Sequence, residues 1–281
     1  MQKFLYVFMF LFLLSTYTDA MGGKKKSKKK KSSSTTSSNS GTSNQSNSSN
    51  KYPSVKSSFQ YQLSGSLKNY SANVVFLDLF ETSSSQISSL KSQGKKVFCY
   101  FSAGTSESWR EDYNRIPNSI KGNSLEDWPG ERWLNTKDSA TLNLAKSRLD
   151  KAVSKKCDGV DPDNVDAYDN DTGFSISKND SKSFLQKLAT EAHNRGLLIG
   201  LKNSAEIASS LSGTMDWVVA EECFKYGECG SYASFISKNK PVFIVEYSTS
   251  QKSAWCSSAK SQSMSLIFSN YDLNGSMSTC P

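Results

Sequence analysis

The sequence predicts a single (β/α)8 barrel of the TIM type, and three observations carry that expectation. Short apolar, β-branched or aromatic runs alternate with longer polar segments of helical spacing. Eight such runs occur. About 230 residues remain for the fold once a non-globular start is set aside, a common size for one barrel. The runs place strands at 59–63, 74–79, 96–101, 159–163, 197–201, 217–220, 242–246 and 265–268. Helical spacing between them predicts helices that include 84–93, 141–155, 181–195, 205–211 and 231–238. Strands alternating with helices pair in parallel, and eight in this length suggest a closed barrel more than a doubly wound sheet. No GxGxxG follows the first strand, which lowers the dinucleotide-binding alternative. No internal run rich in Pro, Gly or Ser marks a second domain.

The first 50 residues read differently. One Lys at position 3 precedes an apolar run over 4–14, then small or polar residues with Thr18 and Ala20 before a plausible cut. Residues 1–20 are thus expected to be a secretory signal peptide. A membrane anchor is the alternative, but the run is well short of the roughly 20 residues a spanning helix needs. No later stretch is long and apolar enough to span, so no integral membrane segment is expected after cleavage. Residues 21–50 open MGGKKKSKKKK and continue as a Ser, Thr and Asn tract without a large apolar residue after Met21. Such a segment cannot bury enough surface to offset chain entropy and is expected to be a disordered tail. Residues 1–50 hold eight Lys and one Asp, which accounts for nearly all of the formal net charge of +8. The folded part, 51–281, is therefore close to neutral, and the basic balance says nothing about its site. The Lys run suits an anionic surface, with a solvated tail as the plainer reading. No nucleic-acid partner is expected for a secreted chain, and the folded part is expected to be a monomer.

Six Cys, an even count in a chain expected to be secreted, suggest disulfides. Fifteen pairings are possible; Cys223–Cys229, Cys99–Cys157 and Cys256–Cys280 are the expected ones. No Cys-x-x-Cys spacing occurs and there is one His, which argues against a zinc site. Sequons at Asn69, Asn170, Asn179 and Asn274 are compatible with secretion, although a Ser-rich chain also produces them by chance.

Many strands end in polar residues: Asp78; Tyr100 and Ser102; Asp161 and Asp163; Lys202 and Asn203; Glu221 and Glu222; Glu246 and Tyr247; Asn270. In a (β/α)8 barrel the carboxyl ends of the strands ring one pocket, so these residues are expected to converge. In CDGVDPDNVDAY (157–168) a strand ending Asp161-Pro162-Asp163 puts both carboxylates on one side, because side chains alternate with period two. A calcium loop or helix cap is the competing reading; Asp169 and Asp171 with Gly173 resemble a calcium loop only loosely. In WVVAEECF (217–224) Glu221 follows an apolar strand and is expected in the same pocket, with Glu222 pointing elsewhere by the same alternation. Two carboxylates from different strands are what glycosidic cleavage uses, one as acid and the other as nucleophile or base. Trp109, Trp128, Trp133 and Tyr168 fall in loops, where they stack on sugars or pack in the core. Glu107 and Arg110 are expected to brace the rim by ion pairing. His193 lies on a predicted helix away from the strand ends, which argues against a Ser-His-Asp triad.

At these motifs the chain resembles glycoside hydrolase family 114, the endo-α-1,4-polygalactosaminidase group. The matching stretches are QLSG (62–65), VFLDLF (75–80), CYFSAG (99–104), ESWRED (107–112), WPGERWL (128–134), CDGVDPDNVDAY (157–168), GLLIGLKN (196–203), the ECF and GEC pieces of 222–229, and KPVFIVEY (240–247). The resemblance implies a (β/α)8-type barrel, extracellular location, cleavage of α-1,4-linked galactosamine-rich polysaccharide, and no metal or organic cofactor. It puts the catalytic pair on Asp163, as nucleophile or charge stabiliser, and Glu221, as acid/base, with exchanged roles as the alternative. It puts Asp78, Tyr100, Asp161, Lys202 and Tyr247 around the sugar. The family commonly reads Asn-Glu-Gln-Cys where this chain has Ala220-Glu221-Glu222-Cys223; Glu222, if it shares the pocket, would act on Glu221 by like-charge repulsion. A non-catalytic polysaccharide-binding protein on the same barrel, or a hydrolase or transglycosylase of another glycan, are the alternatives.

Overall fold

The eight predicted strands all form, within a residue or two of their expected ends. A computed structural model describes residues 52–69 and 71–281; the predicted signal peptide and Lys/Ser tail lie outside the described residues. The strands are β1 (Phe59–Gln62), β2 (Val74–Asp78), β3 (Lys96–Ser102), then, after three short strands β4 (Thr105–Glu107), β5 (Lys121–Ser124) and β6 (Glu131–Leu134), β7 (Gly159–Asp163), β8 (Leu198–Lys202), β9 (Trp217–Glu221), β10 (Val242–Glu246) and β11 (Ser265–Ser269). The order β1-β2-β3-β7-β8-β9-β10-β11 is parallel throughout, and β12 (Met277–Thr279) adds antiparallel to β11. Ser265 Oγ donates to Ser57 O at 2.9 Å, and Leu63 N donates to Leu273 O at 2.9 Å. These bonds bring the last parallel strand beside the first, and the sheet is nearly closed.

Period-two alternation splits the apolar residues into two cores. Phe59, Tyr61, Val74, Phe76, Phe98, Leu198, Trp217, Val219, Phe243, Val245 and Ile267 fill the barrel. Their strand neighbours, among them Val75, Val97, Cys99, Val160, Ile199, Val218 and Ile244, face outward against the helices. The interior takes an indole because two inward positions lack a side chain. A Cβ on Gly200 would lie 2.1 Å from Trp217 Nε1, and one on Gly159 would lie 2.8 Å from the same ring. Trp217 stacks on Phe98 with centroids 3.9 Å apart.

The outer layer consists of α1 (Ser84–Ser92), α2 (Ser139–Ser154), α3 (Lys178–Asn194), α4 (Ala205–Leu211), α5 (Ala233–Ile236) and α6 (Lys252–Ser261). Ser83 and Ser177 close capping boxes with Gln86 and Asp180 at the starts of α1 and α3, satisfying amides that a helix start leaves unpaired. The predicted helix 231–238 is a 3-10 turn running into the four-residue α5. Among the described residues no helix separates β1 from β2, and none is long and apolar enough to cross a membrane.

The expected disulfides Cys99–Cys157, Cys223–Cys229 and Cys256–Cys280 all form. The first joins β3 to the residue leading into β7; the third ties α6 to the chain end beyond β12.

The one large departure from the predicted alternation follows β3. There β4, β6 and β5 make a separate antiparallel sheet before α2 begins. Its root is pinned to the end of β7: Ala103 N and Gly104 N donate to Asp163 O at 2.8 and 3.2 Å. A Cβ on Gly104 would lie 1.6 Å from Asn164 O, so only glycine allows this approach.

Candidate active site

The inward parity that fills the barrel also sets its rim. Continuing Phe98, Leu198, Val219 and Val245 by two residues gives Tyr100, Gly200 and then Lys202, Glu221 and Tyr247, and Gly159 leads by the same step to Asp161 and Asp163. Ladder register then staggers them around the rim: Ser102 pairs with Asp163, Lys202 with Val219, and Val245 with Glu221.

Lys202 is the centre of the arrangement. Its side chain is 3% exposed, and Nζ lies 3.1 Å from Asp163 Oδ2 and 2.9 Å from Glu221 Oε2. Burial alone would lower its pKa, but the carboxylates of Asp163, Glu221 and Asp161 outweigh that and hold the ammonium well above the ordinary lysine range. The same nitrogen lies 5.7 Å from the centroid of Tyr100 and 5.8 Å from that of Tyr61.

Each rim carboxylate has further donors. The Tyr100 hydroxyl donates to Asp163 Oδ2 at 2.9 Å, and Asn164 N donates to Oδ1 at 2.7 Å. The Tyr247 hydroxyl donates to Glu221 Oε1, and Asn203 Nδ2 reaches Oε2 at 3.3 Å. Asn203 Oδ1 accepts from Glu221 N at 2.9 Å, so one side chain sets both the backbone and the carboxylate of Glu221. Burial pushes the phenol pKa of Tyr100 and of Tyr247 up, and the neighbouring carboxylates add to it; both hydroxyls therefore stay protonated as donors.

Asp161 sits one inward position below Asp163 and is wholly buried. Tyr61 OH donates to its Oδ2 at 2.9 Å, while Oδ1 has no partner. Burial pushes this carboxyl up to about 7 against the pull of Lys202. Asp78, also an inward residue, is tied up locally. Arg110 donates to its two oxygens at 3.0 and 2.6 Å, and the amides of Phe80 and Glu81 donate to Oδ1. Arg110 also pairs with Glu107 at 2.8 Å, the rim brace expected from sequence.

Asp163, Glu221, Lys202, Tyr100 and Tyr247 thus converge in direct contact, Asp161 lies beneath them, and Asp78 belongs to the neighbouring Arg110 cluster. Glu222 stands outside the Lys202 cluster: its Oε1 accepts from Lys225 at 2.7 Å and from Tyr271 at 3.2 Å. Trp133 is buried, whereas Trp109 and Trp128, both on the antiparallel excursion, are 52% and 55% exposed. His193 bonds Asp216 at 2.9 Å on the outer layer. Sequence reasoning missed Tyr61, Asn164 and Tyr271; for Tyr61 the signal was its shared parity with Phe59. Among the described residues no group of three or more His, Cys, Asp or Glu is placed to hold a metal ion.

Two carboxylates from different strands at the carboxyl end of a parallel barrel, bridged by a buried lysine, define a site of the glycosidase class. Comparison with known proteins makes the class specific. The family model for glycoside-hydrolase family GH114 matches residues 39–281, and the chain belongs to that family.

Among solved structures, that of Aspergillus fumigatus Ega3 in complex with galactosamine is similar, with 41% identity and a TM-score of 0.78. The match covers 85% of this chain and 100% of that one. The glycoside hydrolase domain of PelA from Pseudomonas aeruginosa matches over 79% of this chain and 98% of its own, at 13% identity and a TM-score of 0.62, and shares the fold. An uncharacterised protein of Deinococcus radiodurans is 26% identical over 55% of this chain; the match spans 57% of that relative's length.

Proposed function

We propose that the protein is a secreted glycosidase that cleaves α-1,4-linked galactosamine-containing polysaccharide, with Asp163 and Glu221 as its catalytic pair. The observation that carries the reading is the Lys202 bridge. One nitrogen lies 3.1 Å from Asp163 and 2.9 Å from Glu221, so the nearest carboxylate oxygens are at most about 6 Å apart. Retaining glycosidases place their carboxyl groups roughly 5–5.5 Å apart and inverting ones roughly 6.5–9.5 Å. We read the short bridge as favouring the retaining arrangement.

Asp163 attacks the anomeric carbon while Glu221 gives its proton to the departing glycosidic oxygen. A water then displaces Asp163 from the sugar and gives its proton back to Glu221. Tyr100 and Asn164 hold Asp163 to one rotamer, as Tyr247 and Asn203 hold Glu221. This fixes the attacking and donating atoms before substrate arrives. Lys202 places its positive charge against both carboxyl groups. The 41% identity to a protein solved with galactosamine supports the same class of substrate. Three disulfides support an oxidising, extracellular setting, and we expect the protein to act as a monomer.

The test is reducing-end release from partly deacetylated α-1,4-galactosaminogalactan by the full chain and by its Asp163→Asn and Glu221→Gln variants. The parent should cut, and each variant should be slower by about a hundredfold or more, the least that general acid–base catalysis contributes. A parent that binds the polymer without cutting it makes the chain a binding protein. Variants that cut like the parent overturn the pair.

A further inference from the structure

Glu222, beside the catalytic Glu221, stands in a conformation its residue type does not favour. Strands β7, β8 and β9 each end in a rim residue followed at once by a left-handed one: Asn164 at φ 56°, Asn203 at φ 47° and Glu222 at φ 54°. Asn tolerates this region and Glu does not favour it. The backbone therefore gives no reason for a glutamate at this kink, and its carboxylate does.

That carboxylate is 13% exposed and already holds an ammonium. Lys225 Nζ lies 2.7 Å from Oε1, and the Tyr271 hydroxyl donates to the same oxygen at 3.2 Å. The Tyr271 ring lies on the Tyr247 ring, with centroids 4.3 Å apart and planes at 27°. Tyr247 in turn donates to Glu221. Two stacked tyrosines thus connect the catalytic carboxylate to Glu222, and the outer ring, Tyr271, is 58% exposed.

We propose that Glu222 selects an unacetylated amino sugar beside Glu221, with the exposed Tyr271 ring as the surface that sugar lies on. This rests on the galactosamine reading above. A sugar ammonium offers the same chemistry as Lys225 Nζ and takes its place on the carboxylate. The exchange is easy because Lys225 is 40% exposed, and ion pairs with such a partner are weak. The displaced Lys225 has the Tyr226 ring 4.9 Å away to rest on. An N-acetylated sugar has no cation to offer and loses the charge-assisted bond.

The experiment measures binding without turnover. Full-length protein carrying Glu221→Gln is titrated with an α-1,4-galactosamine oligomer and with its N-acetylated counterpart, alone and with Glu222→Gln or Lys225→Gln added. Glutamine can still accept from Tyr271, so a purely structural role survives Glu222→Gln. The expected result is that Glu222→Gln weakens the deacetylated oligomer about tenfold relative to the acetylated one, the scale of a charge-assisted hydrogen bond. Lys225→Gln should tighten the deacetylated oligomer alone. An unchanged ratio, or equal weakening of both oligomers, overturns the proposal. A protein that cuts the polymer but shows no ratio shift refutes only this inference. One that shows the shift but cuts nothing refutes only the hydrolase reading.

Discussion

Replacing Lys202 by Met removes one buried charge and keeps most of the stem. In the parent, that charge stands 3.1 and 2.9 Å from two carboxylates. At the effective dielectric of about 20 that suits protein sites, each attraction is about 5 kcal/mol before desolvation is subtracted. Burial of the ammonium consumes much of this, and breaking a buried ion pair from one side costs about 3–5 kcal/mol in practice. We expect a loss of that size at pH 7, read from urea unfolding. We also expect kcat to fall at least about a hundredfold, because the two carboxylates then face each other with nothing between them. The destabilisation should shrink toward pH 5, where protons stand in for the missing cation. Asp161 shows the direction: Lys202 is what draws its carboxyl down against burial. A stability loss under about 1 kcal/mol, the worth of a surface pair, or an unchanged kcat would refute the central place given to Lys202.

Burial pushes Asp161 and Glu131 each up to about 7. The folded protein then keeps two protons that the unfolded chain has lost, so stability should fall as pH rises from about 4 to about 7, by at most about 1.4 kcal/mol per pH unit for each group. Unfolding midpoints at several pH values in that window should converge for an Asp161→Asn, Glu131→Gln double variant relative to the parent; parallel profiles would contradict the assignment. Gly104→Ala forces a Cβ into the Asn164 carbonyl and should cost about 1–3 kcal/mol. It should also lower kcat by moving the Asp163–Asn164 turn, whereas an unaffected enzyme would mean the turn yields freely. Removing both half-exposed indoles, as Trp109→Ala with Trp128→Ala, should leave the unfolding midpoint within about 0.5 kcal/mol. The double variant should weaken retention of the polymer in affinity electrophoresis about tenfold, on the scale of two stacking contacts; unchanged retention would remove the excursion from the binding surface.

The barrel was legible in the sequence because most of its eight strands are short apolar runs, wholly buried in β2, β8 and β10. Strand ends were equally legible, since polar residues after an apolar run have one place to go in a closed parallel barrel. The excursion β4-β6-β5 escaped because its strands carry Thr105, Ser106, Glu107 and Glu131, polar residues with no apolar period. Helix α6 escaped for a similar reason: KSAWCSSAKS is mostly Ser and Lys, and its burial comes from Trp255, Cys256 and Ala259 packing on the barrel.

Residue type, spacing and parity were therefore enough to determine the fold class and which side chains reach the barrel's inner rim. Their partners were decided in three dimensions. Asp78 and Asp163 end the strands on either side of β3, both at inward positions, yet one is claimed by Arg110 and the other by Lys202 and Tyr100. Asp161 was expected beside the sugar and is sealed beneath Asp163 against Tyr61. The physical reason is range. Alternation is a property of each strand alone, whereas an ion pair depends on the register of separate strands and on an excursion folded in from elsewhere.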